Sequence, residues 1–286
     1  VEVPTARSLS PVLPRRDADT HKGQAGRVAL VAGSPGMVGA AALCSAAAVR
    51  SGAGLVYLYV KPDAYPAAAA ISRPEVMVRP VGSYADVLED PHDALGIGPG
   101  LGTAAAEEVA DLLSRFTGPA VVDADALNIL AAGHLPVLAQ RSAPTLLTPH
   151  PGEMARLEGN SPPPPETRME RARAFVSGRP GTTLLLKGAR TVIATDGYPL
   201  MVNSTGHPGM ATGGMGDVLT GVASALAVHC AEPGALHRIA GLAAWIAGRA
   251  AERAITHGGQ SVESTVAGDV VSHLGGAFDD VRNRAF

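Results

Sequence analysis

Short apolar runs that end in glycine or aspartate alternate with longer alanine- and leucine-rich stretches along most of the chain. RVALVAG (27–33) reads as a buried strand, MVGAAALCSAAAVRSG (37–52) as a helix that stops at Gly52, and GLVYLYV (54–60) as the next strand. Residues 27–60 therefore predict a βαβ unit. Further strand-like runs follow at DALGIG (93–98), PAVVDAD (119–125) and PTLLTP (144–149), with helical stretches at 104–116, 126–132 and 152–159. This alternation predicts a mostly parallel sheet covered by helices on both faces. After SPPPPE (161–166), a rigid connector, comes a charged helix at 166–178. TTLLLKG, TVIATDG and PLMVNST (182–205) then predict three close-spaced strands, and the Asp196-Gly197 pair marks a two-residue hairpin and an antiparallel edge. Two alanine-rich helices, about 214–229 and 235–255, close the pattern. Residues 1–20 are polar and proline-rich and predict a flexible arm, which leaves 21–286 as one α/β domain without an internal repeat.

Composition narrows the function classes. Lys+Arg 23 against Asp+Glu 26 argues against bulk nucleic-acid binding. An apolar fraction of 46% with only 3% aromatic residues implies a core of Ala, Val and Leu. No stretch of 18 apolar residues predicts a membrane span, and residues 1–20 hold no apolar signal-like region. Cys44 and Cys230 sit in alanine-rich helical runs, so the expectation is a reducing, cytoplasmic setting without a disulfide framework.

Four glycine-rich loops follow strands: GSPGMVG (33–39), GIGPGLG (96–102), KGAR (187–190) and GHPGMATGGMGD (206–217). Ligands of open α/β sheets bind at the carboxyl ends of the strands, so these loops predict a cleft lined by backbone. In the last loop the amides of Gly213, Gly214, Met215 and Gly216 can converge on one anion at a helix start. Asp217 ends the loop. A lone acid there complements the helix dipole, worth roughly 0.3–1 kcal/mol. Beside an anion hole it is unfavourable unless it takes a proton from a hydroxyl that attacks phosphorus, and the dense glycines favour that second reading. His150 lies between two prolines after a strand and is either a satisfied loop histidine or a cleft residue. Asp123 and Asp125 can organise metal-bound water or a ribose, or cap the following helix, and the cap is favoured for Asp125. Lys187 is either a phosphate-neutralising or a solvated turn lysine. No GxxxxGK[ST] is present, and glycines 33, 36 and 39 with Asp63 have GxxGxxG rather than GxGxxG spacing, so neither common nucleotide motif is met.

From HKGQAGRVALVAGSPGMVGAAALCSAAAVRSGAGLV (21–56) through GIGPGLG, VVDADALN, LLTPHPGEM and LLKGARTVI to NSTGHPGMATGGMGDVLTG, the chain resembles the NAD(P)H-hydrate dehydratases. This carbohydrate-kinase-like family forms the C-terminal half of bifunctional nicotinamide-nucleotide repair proteins. The resemblance implies a ribokinase-like three-layer α/β/α sandwich. It implies dehydration of the S epimer of NADHX or NADPHX, cofactors hydrated at C6 of the nicotinamide ring. ADP would be the co-substrate, giving AMP and phosphate, with ATP used by animal and yeast relatives, and Mg2+ would be the cofactor. By matching position, Ala40, Gly100, His150 and Asp217 would contact the hydrated dinucleotide, and Asp217 would be the catalytic base. Lys187, Gly188, Ala189, Arg190, Thr191 and Gly216 would hold the adenine nucleotide. No metal ligands follow from the resemblance. His207 stands where the family often has Asn, and Met215 where it has Thr or Ser, which removes one hydroxyl but none of the amides. A stand-alone enzyme working with a separate epimerase is expected, as a homo-oligomer with a tetramer as the model case. Two other readings are a kinase of a small hydroxylated, vitamin-precursor-like substrate and a non-catalytic nucleotide-binding module.

Overall fold

The structure is a computed structural model that describes residues 1–13, 15–230 and 233–284. Its strands are β1 (Arg27–Val31), β2 (Leu55–Val60), β3 (Val76–Pro80), β4 (Ala94–Ile97), β5 (Ala120–Val122), β6 (Thr145–Leu147), β7 (Thr182–Leu186), β8 (Val192–Thr195) and β9 (Met201–Val202). They form one sheet in the order β3-β2-β1-β4-β5-β6-β7-β8-β9. All neighbours from β3 to β7 pair in parallel, and β7–β8 and β8–β9 pair antiparallel.

The helices are α1 (Ala6–Leu9), α2 (Val38–Arg50), α3 (Tyr65–Ile71), α4 (Ala106–Arg115), α5 (Ala124–Ile129), α6 (Val137–Gln140), α7 (Pro151–Glu158), α8 (Arg168–Val176), α9 (Met215–Ala227), α10 (Pro233–Thr256) and α11 (Ala267–Arg282). Alternation along β1 explains the three layers. Val28 and Leu30 pack with α2 and α3 on one face, while Ala29 and Val31 join the core under α4, α5, α7 and α8 on the other. Helices α9, α10 and α11 complete the first face over Val121, Leu146, Leu185 and Ile193. The expected sandwich with an antiparallel edge is therefore present.

Four features differ from the sequence expectations. The arm expected over 1–20 is docked at its start: Ala6, Leu9 and Leu13 are buried in the core, and Glu2 exchanges backbone bonds with Leu200 (2.7 Å) and Val202 (2.9 Å) at the β9 edge. With Pro4 also buried, a few spaced apolar residues in a polar stretch anchor it. The connection after β8 is longer than two residues. Tyr198 N–H closes a turn onto Thr195 O at 3.1 Å, with Gly197 at φ 79°, but pairing resumes only at Met201 opposite Ile193. Strand β3 with helix α3 was not anticipated. Nor was α11, although Val270, Val271, Leu274, Ala277, Phe278 and Val281 give it a clear buried face; Gly275 and Gly276 interrupt that pattern in sequence.

Bare glycine lets α9 lie against its neighbours. A Cβ at Gly221 would stand 2.1 Å from the Cys44 carbonyl oxygen and 2.8 Å from Ala47 Cβ, both on α2. Gly221→Ala should therefore force α2 and α9 apart and destabilise the protein by about 1–3 kcal/mol, the usual cost of overpacking. The shift of the urea unfolding midpoint measures this, and an unchanged midpoint would mean the two helices are free to separate.

Candidate active site

Strand order reverses between β1 and β4, since β1 connects outward to β2 while β4 lies on its other side. Ligands of such sheets bind in the crevice at that switch point. The loops that leave β1 and β4 are tied together there, by Gly33 N–H to Pro99 O (2.8 Å) and Ser34 Oγ to Gly100 O (2.9 Å). Gly100 has φ 58°, and a Cβ on it would meet the Met37 carbonyl oxygen at 2.7 Å and Ala40 Cβ at 2.9 Å. Ala40, in the first turn of α2, and Gly100, in the loop after β4, are thus neighbours.

The start of α9 faces the same edge. Gly214 is its N-cap, at φ 88°, with no side-chain capping bond. A Cβ there would press on Leu43 Cδ1 (2.6 Å) and Ala267 Cβ (2.9 Å), so the loop is clamped between α2 and α11. The first-turn amides of a helix have no partner within it, which makes 213–216 a ready anion site. The half-buried Met215 side chain packs against the α9–α11 core. His207 caps a short 3₁₀ turn at 208–210 by accepting Gly209 N–H at 3.3 Å.

Beneath this anion site lies a charged network. Lys187 Nζ, at the end of β7, donates to Asp123 Oδ1 at 2.7 Å, and Thr220 Oγ1 of α9 donates to Asp123 Oδ2 at 2.7 Å. Glu153 Oε2 is 3.7 Å from the same ammonium and accepts His150 N–H at 2.7 Å. Asp123 and Glu153 are buried, and the Lys187 side chain is 19% exposed, so it is not a solvated turn lysine. Gly216 sits on top: a Cβ there would be 3.3 Å from Lys187 Nζ and 3.5 Å from Asp123 Oδ2. The three carboxylates around Lys187 outweigh its burial and hold its pKa above the usual lysine range. Burial pushes the Asp217 carboxyl up from 3.8 to about 6; the Asp123 charge adds to this and Lys187 opposes it.

His150 is the N-cap of α7. Its Nδ1 accepts from the Gly152 (3.0 Å) and Glu153 (3.2 Å) amides, which leaves Nε2 on a half-exposed ring, 3.4 Å from Glu153 Oε1. Asp125 does not cap α5. It lies inside the first turn, where its carboxylate accepts Gly102 N–H (2.8 Å) and Asn128 Nδ2 (3.3 Å), so it braces the loop after β4. Asp123 occupies the cap position without capping, because its oxygens turn to Lys187 and Thr220. The turn 187–191 leaves Gly188, Ala189 and Arg190 exposed, with Arg190 at φ 58° and Thr191 Oγ1 on Gly188 O at 3.1 Å. Among the described residues no cluster of three His, Cys, Asp or Glu is placed to hold a metal ion. Thr220 and Glu153 were not singled out in the sequence. Their signal is spacing: Thr220 follows Asp217 by three positions on one helix face, and Glu153 completes a capping box with His150.

The fold is of the ribokinase-like class. Within it, the NAD(P)H-hydrate dehydratase family matches residues 28–272, and the chain belongs to that family. It is 43% identical over 277 residues to the bifunctional NAD(P)H-hydrate repair enzyme Nnr of Moorella thermoacetica, covering 92% of this chain and 51% of that relative. It is 36% identical over 250 residues to the ADP-dependent (S)-NAD(P)H-hydrate dehydratase of Neisseria meningitidis, covering 87% of this chain and 83% of that one. The ADP/ATP-dependent NAD(P)H-hydrate dehydratase of Bacillus subtilis, co-crystallized with ATP/Mg2+, matches with a TM-score of 0.82 at 29% identity over 97% of both chains. The chain spans about half the length of the bifunctional relatives it matches.

The raised Asp217 pKa has a consequence for stability. The fold favours the neutral acid, so ionising Asp217 costs stability as pH rises from about 4 to about 6, and the cost is complete above that. Asp217→Asn should accordingly be more stable than the parent at pH 8, by on the order of 2 kcal/mol, and equal to it below pH 4. Melting temperatures of the two proteins across this range check the sign; a mutant less stable at pH 8 would contradict the desolvated carboxylate.

Proposed function

We propose that this chain dehydrates the S epimer of NADHX and NADPHX at the expense of ADP, releasing AMP and phosphate and restoring NADH or NADPH. The observation that carries this reading is Asp217, a carboxyl with a pKa of about 6 at the foot of an uncapped helix start beside the switch point. Family membership and the relatives' names supply the substrate class.

In this reading Ala40 and Gly100 receive the hydrated dinucleotide, and the half-exposed His150 ring faces it from α7. The turn from Lys187 through the exposed Gly188, Ala189 and Arg190 to Thr191, together with Gly216, holds the adenine nucleotide. Asp217 takes the proton of the C6 hydroxyl as its oxygen attacks the β-phosphorus of ADP, and the bond from that phosphorus to the AMP oxygen breaks. The amides of 213–216 and the Lys187 ammonium carry the charge that grows on the phosphoryl oxygens. The C6–O bond then breaks, the C5 proton passes to the departing phosphate, and the ring double bond is restored. Both oxygens of Asp123 are engaged and no protein cage is present among the described residues, so magnesium would enter on the nucleotide's own phosphates, with water completing its shell. When bound it would neutralise phosphate charge. An epimerase activity would supply the S epimer, and assembly into a homo-oligomer belongs to the same reading.

Asp217→Asn should lower turnover by about 10²–10⁴-fold while nucleotide affinity changes little. Because the base must be ionised, kcat/KM should fall about tenfold per pH unit below about 6. Return of dihydronicotinamide absorbance, with AMP counted against NADH, measures both. A mutant that keeps most of its rate would remove Asp217 as the base, and a stable phosphoester product would favour the small-molecule kinase.

A further inference from the structure

Lys187 has three carboxylates within reach of its field, and which one it pairs with decides what Asp217 can do. Asp123 lies at 2.7 Å and Glu153 at 3.7 Å, and Asp217 is the third. A carboxylate paired directly with a cation becomes a weak base, its pKa falling by about 1–3 units. We propose that Asp123, itself held by Thr220, is a positioning residue that keeps the Lys187 ammonium from pairing with Asp217 and so leaves Asp217 able to take a proton. The inference rests on Asp217 being the base.

The geometry fixes the outcome of this competition. Asp123 is 1% exposed and both its oxygens are used, so its carboxylate has a single orientation. Thr220, fully buried, holds Oδ2 and thereby aims Oδ1 at the ammonium. Thr220 and Asp217 lie on the same helix, so the element that carries the base also locks its competitor. Lys187 is fixed from its own side too, since its backbone N–H donates to Pro149 O at 2.8 Å. The other groups facing Asp217 or its neighbours do not take the role. Glu153 of α7 is bound to the His150 amide, the buried Cys44 thiol of α2 is held neutral, and Asp269 of α11 caps its own helix by accepting Val266 N–H.

Carboxyl-13C-aspartate NMR tests this, with Asp217→Asn used to assign the resonance. In Asp123→Asn the like charge is lost and Lys187 is released to Asp217, so Asp217 should titrate at least about one unit below the parent. In Asp123→Asn/Lys187→Met both charges are gone and the titration should return upward. The acid limb of kcat/KM should move with it. An Asp217 titration unchanged in Asp123→Asn would overturn the proposal and leave Asp123 a purely structural residue. If the resonance moves but the acid limb does not, the hold of Asp123 on Lys187 stands, and it is the assignment of Asp217 as the base that fails. Should Asp123→Asn not fold, the parent protein decides: the hydrogen-bond coupling from the Lys187 ammonium must stay with the Asp123 carboxyl on both sides of the Asp217 pKa. Transfer of that coupling to Asp217 when it ionises would overturn the proposal.

Discussion

The contact between Asp123 and Lys187 joins the ends of β5 and β7 across the intervening β6. Thr220 extends it to α9 and Glu153 extends it to α7. Four elements therefore meet at one buried ion pair. Such a pair gains little for stability against an apolar substitute, because two charges must be desolvated, yet breaking it from one side typically costs about 3–5 kcal/mol. Its value here is geometric. It puts a cation under Gly216 and sets the register of the α9 first turn against the strand ends.

The alanine-rich core makes the arrangement possible. Helices of small residues approach closely, and α9 lies on α2 and β4 where Gly221 meets Cys44 and Gly96 meets Ser224. That approach brings the starts of α2 and α9 to one edge, so two backbone-lined loops face the switch point. Burial then acts on Asp217, which takes no part in the bonds that hold Asp123 and Glu153. Asp217 is pushed up toward the range useful to a base at neutral pH, whereas Asp123, bonded to the Lys187 ammonium at 2.7 Å, holds that cation in place.

Most of the fold was legible because parallel strands buried on both faces read as plain apolar runs between glycines, as in β1 and β4. The helix of 267–282 escaped because Gly275 and Gly276 break its apolar rhythm, and the docked arm because its few buried residues are scattered among polar ones. At the site, Asp217 and the glycines before it were readable from local spacing alone. Ala40 beside Gly100, and Lys187 on Asp123, join residues 60 or more positions apart; neither pairing has a local signal, and resemblance supplied only some of the partners. Asp125 misled because a strand-end aspartate before a helix usually caps it, whereas here the loop after β4 claims its carboxylate.

In the proposed reaction the C6 oxygen acts as a nucleophile toward phosphorus and leaves as part of phosphate. The direct measurement is a turnover of NADHX carrying 18O in its C6 hydroxyl, with ADP and magnesium, followed by mass analysis of the inorganic phosphate. One 18O in each phosphate released is the expected result. Label found in water, with unlabelled phosphate, would mean that the hydroxyl leaves without ever meeting phosphorus, and the kinase-like role of Asp217 would be wrong.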